Sequence, residues 1–334
     1  MSDKNTGKKS LKELWSSFLT KPGAGVFVAL IIFIIAISII APMVTGGQFL
    51  TWTNIIQIFR QQTYIGIIAC GMTLVMVTGN IDLSVGSQLT MMTVLCAQIS
   101  QTYGDLSIPI TIVIGIACGL LNGLLVSGLK LNAFITTLGT GSIYGALALI
   151  LVSGHTLRAK TALFEALGKG SILGVVPVSV VVLLAVVLVF AFLLGRTVFG
   201  QRLYAIGANP TAARYSGIRS RRDVAITYIL NGVCCALAAV ILLARSESAN
   251  PQIGASKEMD IILAVVLGGT SILGGKGTVW GTVVGFLFIG FMSSAFTFLA
   301  FDQYIQWVIM GVILVAALAI DVLSERGVKL WKRK

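Results

Sequence analysis

The residues of this chain able to do chemistry are few, and the first of them share a short polar joint, TGNIDLSVGS, residues 78–87. Asp82 stands there between two apolar runs, IGIIACGMTLVMV and LTMMTVLCAQI, with Asn80, Ser84 and Gly86 beside it. A carboxylate at the centre of a bilayer costs roughly 2.5–3.5 kcal/mol even on lenient insertion scales. Two readings meet that cost. In one, Asp82 caps the following helix, accepting backbone N–H bonds from Ser84 or Val85 beside the positive end of the helix dipole. In the other, Asp82 or Asn80 faces water where a substrate or a gate passes. A broken helix end lining a cavity does both.

A second polar joint, LGGTSILGGKGTVWG, spans residues 267–281. Its GGKG has the look of a phosphate-binding loop, but the pattern G-x-x-x-x-G-K-S/T fails twice. Thr270 stands where the first glycine belongs, and Gly277 replaces the hydroxyl that would hold magnesium. No strand precedes it. Nucleotide binding is excluded here, and the stretch reads as a flexible re-entrant turn that includes Gly274 and Gly275.

The third stretch, GRTVFGQRLYAIGANPTAARYSGIRSRRD, covers residues 195–223. Within it Asn209 is a good N-cap, Pro210 takes the favoured first helical position and Gly217 ends the turn. A helix of about two turns does not stand alone in water. It needs a surface, which is either anionic lipid or a protein partner.

Other chemistry is thin. The single histidine, His155, falls in a loop, and Cys70, Cys96, Cys118, Cys234 and Cys235 all sit in apolar runs as small buried hydrophobes. Acidic residues in or beside apolar runs are Asp82, Asp260, Asp302 and Asp321. That is too few to suggest an ion-coupled carrier, and no metal or nucleophile constellation accompanies them.

The elements that must position these residues are membrane spans. Hydrophobic residues make up 56% of the chain and charged ones 11%, with a mean hydropathy of +0.96, against about a quarter charged residues in a soluble domain. The fold class is therefore all-α, a polytopic membrane protein of about ten transmembrane helices. The expected spans are Val26–Val44, Thr63–Val77, Val85–Ile99, Ile108–Val126, Phe134–Val152, Val175–Leu194, Val224–Ala244, Met259–Leu267, Val279–Leu299 and Tyr304–Val322. Met259–Leu267 is too short to cross alone, so short re-entrant or broken segments are expected. The first span follows a basic segment and lacks a cleavage site, so it stays in the chain.

The net charge of +12 is not a nucleic-acid signature, because it collects in alternate loops. With the N-terminus inside, the inner segments carry three times as many Lys and Arg as the outer ones, which places both termini in the cytoplasm. Three regions follow: a basic N-terminal segment (1–25), a transmembrane domain (26–322) containing the long inner loop 195–223, and a basic C-terminal tail (323–334). Ten spans divided near residue 155 give two halves of five, the geometry of an inverted repeat. Gly115, Gly119 and Gly123, and likewise Gly277, Gly281 and Gly285, recur every fourth residue. Such ladders let helix backbones meet, either within one chain or at a seam or gate.

GNIDLSVGS, LNAFITTLGT, YAIGANPTAARYSGI and VVLGGTSILGGKGTVWGT, taken together and in this order, resemble the permease subunits of bacterial ATP-binding-cassette importers for simple sugars. The likeness covers nearly the whole chain. It implies a transport subunit rather than an enzyme, in the bacterial inner membrane, with a second permease copy or a sister permease beside it. It further implies cytoplasmic ATPase subunits, which bind the ATP and magnesium that this chain does not, and an extracytoplasmic sugar-binding protein. Asn209, Ala212, Ala213, Tyr215, Ser216, Gly217 and Ile218 then correspond to a coupling helix seated in the ATPase. The pathway and gate residues implied are Asn80, Asp82, Ser84, Gly86, Asn122, Gly274 and Gly275. From the resemblance, glycine would be expected where Asn80 stands. The outer loop, with Arg158, Lys160 and Lys169, would meet the binding protein. The rival from another class is an ion-coupled secondary transporter or channel.

Overall fold

The computed structural model of the protein describes residues 24–159, 161–172 and 174–331. Most of the basic N-terminal segment, Lys160 and the last residues of the tail lie outside that range. The described chain is α-helical: α1 Ala24–Thr45, α2 Trp52–Val77, α3 Val85–Tyr103, α4 Ser107–Gly123, α5 Ala133–Val152, α6 Ala162–Lys169, α7 Val178–Arg196, α8 Val198–Ala208, α9 Pro210–Tyr215, α10 Ser220–Ser246, α11 Lys257–Leu267, α12 Val279–Phe298 and α13 Gln303–Trp331. Strand structure is confined to two-residue pairs. Leu157–Arg158 runs antiparallel to Ser248–Ala249, and Ser171–Ile172 to Val176–Pro177.

Helix starts follow the local chemistry. Thr51, Asn132, Thr161, Thr197, Asn209 and Thr278 each accept a backbone N–H from the first turn of the helix they precede, satisfying donors that lipid cannot. Among the described residues six stretches are long and apolar enough to cross a bilayer: Gly25–Thr45, Val85–Gly128, Ala133–Val152, Val178–Arg196, Ser220–Ser246 and Val279–Phe298. The second of these contains both α3 and α4, joined by a 3₁₀ turn at Gly104–Leu106 and closed by a π turn at Leu124–Gly128.

Helices α2 and α10 form the centre. Nearly every residue of α2 from Gln62 to Val77 is buried, as is most of α10, and α3, α4 and α11–α12 pack around them. The outer helices expose large apolar side chains such as Ile35 and Ile39 on α1, Ile135 and Ile150 on α5, and Val189 and Phe192 on α7. Apolar surface on that scale is a liability in water and a solvent match in lipid.

The glycine ladders act inside the chain. On α4, a Cβ added at Gly115, Gly119 or Gly123 would lie 2.5, 2.3 and 2.9 Å from the carbonyl oxygens of Gly232, Tyr228 and Ala225 on α10. Gly281 and Gly285 meet Gly268 and Ala264 in the same way. These seams are backbone against backbone. In the segment between α5 and α7, α6 packs on the end of α10 and Lys169 forms an ion pair with Glu247. Gly119→Leu is expected to cost at least 3 kcal/mol, the upper end of ordinary overpacking, because the helix axes must part. A fall in the thermal midpoint of the detergent-solubilised chain, with Gly139→Leu in open space as the neutral control, measures it.

Candidate functional site

The site begins where α2 ends. Gly79, at φ +77°, turns the chain, with its N–H and that of Thr78 bonded back to Met76 and Val75. The Asn80 N–H still reaches back to the Val75 carbonyl at 3.4 Å, and Ile81–Leu83 then run between the two helices. Side chains from other helices serve that stretch: Tyr228 Oη donates to the Ile81 carbonyl at 3.2 Å, and Leu83 N–H donates to Thr137 Oγ1 at 3.0 Å. α3 starts at Val85.

Asp82 is 1% exposed. Its Oδ1 accepts from the Ser84 N–H at 3.0 Å and from Ser84 Oγ at 2.5 Å, and its Oδ2 accepts from Asn231 Nδ2 at 3.0 Å. Ser84 Oγ in turn accepts from Gln88 Nε2 at 2.7 Å and Asn122 Nδ2 at 2.9 Å. Ser84, Gln88, Asn122 and Asn231 are all fully buried. Among the described residues no Lys or Arg pairs with the carboxylate. It is held by neutral donors and by the N-terminal end of α3, whose dipole favours negative charge. Asn231 lies near the middle of the 27-residue α10, so Asp82 sits deep. The bond from the Ser84 N–H is the expected capping contact. Ser84 itself, at the N-cap position, makes no side-chain capping bond to a backbone N–H of the helix, because its hydroxyl serves the network instead.

The two sequence joints, nearly 200 residues apart, touch. Gly275 N–H donates to the Val77 carbonyl at 2.8 Å, and a Cβ on Gly274 would lie 2.7 Å from the Gly79 nitrogen. Gly274, Gly275 and Gly277 all hold positive φ. α8 closes the group: Tyr204 Oη donates to the Gly277 carbonyl at 2.7 Å, and a Cβ at Gly207 would sit 1.9 Å from the Val77 carbonyl oxygen and 2.4 Å from the Gly275 nitrogen.

α8 runs directly into α9. Asn209 Oδ1 accepts from the N–H groups of Thr211 and Ala212 at 3.1 and 3.0 Å, Pro210 takes the first position, and Gly217, at φ +80°, ends the turn with its N–H on Arg214. Ala213 is buried, Ile218 half-buried, and Asn209, Ala212, Ser216 and Gly217 are exposed. Tyr215 is 89% exposed. A cavity of about 1080 Å³ opens between this loop and the first joint, lined by Thr78, Asn80, Ser127 and a basic rim that includes Lys130, Arg214 and Arg221.

Asp82, Ser84 and Asn122 therefore share one network, and Gly274 and Gly275 abut the joint that carries Asn80. Asn80 itself turns to the cavity, bonding Thr78 Oγ1 at 2.9 Å. Gly86 does not join them; it faces Gly254 and Glu258. Gln88, Asn231, Thr137 and Tyr228 were not singled out by sequence reasoning. Gln88 and Asn231 were findable as amides inside apolar runs.

A model of the family described as branched-chain amino acid transport system / permease component matches residues 54–318. The chain is 38% identical over 301 residues to a ribose import permease protein of Bacillus subtilis, covering 89% of this chain and 92% of that one. It is 32% identical over 324 residues to a fructose import permease protein of Rhizobium meliloti, at 94% and 89% coverage. To an L-arabinose transport system permease protein of Escherichia coli it is 33% identical over 326 residues, at 95% and 94% coverage. No solved structure matches.

The network sets a prediction. Asp82→Asn keeps an acceptor for Ser84, and the Asn231 amide, whose oxygen is unpaired, can turn to accept from the new amide. Asp82→Leu strands the Ser84 and Asn231 donors at about 1–3 kcal/mol each. Thermal unfolding of the purified chain should leave the first variant near wild type and place the second several degrees lower.

Proposed function

Because the chain belongs to this family of transport-system permease components, we propose that it forms the membrane pathway of an ATP-binding-cassette importer for a monosaccharide. It is a multi-pass transport subunit of a bacterial importer and not itself an ATPase. The relatives named for ribose, fructose and arabinose support a simple sugar as cargo. The partners proposed are a second permease, cytoplasmic ATPase subunits holding ATP and magnesium, and an extracytoplasmic sugar-binding protein.

One observation carries the mechanism: an unbroken line of contact from α9 through α8 to both glycine joints and on to the Asp82 network. α9, capped by Asn209 and fully showing Tyr215, is the segment we assign to the ATPase. When the ATPases close on ATP, movement of α9 passes along α8 into Gly207, which already touches Val77 and Gly275. The joints at 78–84 and 268–278 then shift against each other, and the path beside them opens to one side of the membrane at a time. Asn80, Ser84 and Asn122 offer neutral hydrogen bonds weak enough to release a sugar quickly. The cavity at Asn80 serves as the cytoplasmic mouth.

This scheme places both termini in the cytoplasm. It is supported by the bias of basic residues toward the loops that cluster with α9, while the paired segments 157–158 and 248–249 cluster at the other end of α10. Ten spans, with α2, α11 and α13 added to the clearly apolar stretches, and an arrangement of two five-span halves complete it. The transmembrane domain is then 26–322, flanked by the basic segments 1–25 and 323–334.

Two measurements test the reading. Proteoliposomes containing this chain alone should take up no ribose, fructose or arabinose under a sodium or proton gradient, and uptake should appear when ATPase, binding protein and ATP are supplied. Gly217→Arg, at a positive φ on the exposed turn, should lose at least tenfold in co-purified ATPase while the chain still inserts in the membrane; undiminished co-purification would remove α9 from the contact.

A further inference from the structure

A second polar space lies at a depth where polar groups are costly. It is a cavity of about 140 Å³ between α2, α11, α12, α13 and the end of α10, and Gln61, Gln62, Tyr64, Arg245, Lys257 and Asp260 supply its polar wall. Tyr64 falls halfway along the 26-residue α2, and Ile289, on the same wall, halfway along the 20-residue α12. Sequence position alone puts Lys257 in an outer loop and Asp260 at a span end; the fold carries both inward. Lys257 and Asp260 are only partly exposed, and charges held among spans are retained where they serve a pathway or a bound group.

We propose that this cavity is a carbohydrate-binding subsite belonging to the chain itself, a proposal that rests on the reading of the cargo as a monosaccharide. Its polar wall offers both kinds of hydrogen-bonding group. Lys257 Nζ and Asp260 Oδ2 hold each other at 2.9 Å and each keeps further bonding capacity. The Arg245 guanidinium lies 5.7 Å from the centre of the Tyr64 ring. Gln62 is 6% exposed, and its carboxamide oxygen has no donor within the protein. A Cβ at Gly290 would stand 2.4 Å from Gln62 Cγ, so the facing helix gives up a side chain to seat this glutamine.

These groups select among ligands. Sulfate brings only acceptors, which suit Arg245 and Lys257 but are opposed by Asp260 and leave the Gln62 oxygen without a donor. A metal ion meets two cationic side chains and one carboxylate. A sugar hydroxyl donates and accepts at once, so a ring bearing several of them suits Gln62, Asp260, Arg245 and Lys257 together. At about 30 Å³ per water the space corresponds to roughly five waters, the size of a small polyol.

The test uses the complete transporter in proteoliposomes, with ribose, fructose and arabinose as probes and the binding protein saturating. Gln62→Leu deletes an acceptor that is unpaired in the empty protein, so its thermal midpoint should equal or exceed that of wild type, and ATPase co-purification should be unchanged. Uptake of whichever probe the wild type carries should nonetheless fall about tenfold, as expected for one lost buried hydrogen bond. Uptake equal to wild type would overturn the subsite. Should that variant fail to fold, Ser293→Cys on the same wall gives a second readout, since all five native cysteines are buried. A small thiol reagent should label it more slowly in the presence of the carried sugar than in sodium sulfate, and equal rates would overturn the subsite. If wild type carries none of the three sugars, the cargo assignment fails, and the subsite with it.

Discussion

A carboxylate out of reach of water must be satisfied by hydrogen-bond donors that the fold itself supplies, and much of this structure is organised around meeting that demand at Asp82. The donors come from Ser84 in the same joint and from Asn231 on α10, while Asn122 and Gln88 hold the Ser84 hydroxyl in place. For all of them to reach the joint, α3, α4 and α10 must converge, and α2 must end short enough to let the chain turn back. An unsatisfied polar group in hydrocarbon costs several kcal/mol, comparable to the net stability of a whole domain. The network is therefore a constraint on the packing of the bundle.

Glycine is the means by which that convergence is reached. Where α4 meets α10, and α12 meets α11, carbonyl oxygens occupy the space a Cβ would need. Helices this close gain dispersion contacts along their whole length, the main attractive force available between spans once lipid has removed the hydrophobic one. The same residue type has a different task at the joints. There Gly79, Gly274, Gly275 and Gly277 hold backbone angles that other residues adopt only with strain. One set of glycines fastens helices together, and the other lets two turns nest.

Much of this was legible in the chain. The cap, the proline and the terminating glycine of α9 are local signals, and local signals survive folding: Asn209, Pro210 and Gly217 do what their types dictate. Asp82 stood out because a charge in an apolar run needs a reason. The contact between the joints was not legible, since nothing in residues 78–80 refers to residues 274–277. Asn231 escaped notice inside a helix whose overall hydropathy hides one amide. α6 was not among the expected elements, because it is only eight residues long and is stabilised by α10, far away in sequence. Lys257 and Asp260 looked peripheral for a similar reason. A short helix after a loop gives no hint that the loop dips, yet Gly254 packs against Gly86 and Thr90, and that contact draws the start of α11 into the bundle.

Gly207 has a consequence for timing as well as for shape. With the Val77 oxygen and the Gly275 nitrogen both in the space a Cβ on Gly207 would fill, α8 meets the two joints with no play, like a gear cut without backlash. Packed interiors transmit displacement because they have little free volume to absorb it. In the proposed scheme, a stroke begun at the α9 end of α8 would be felt by both turns together rather than by one ahead of the other.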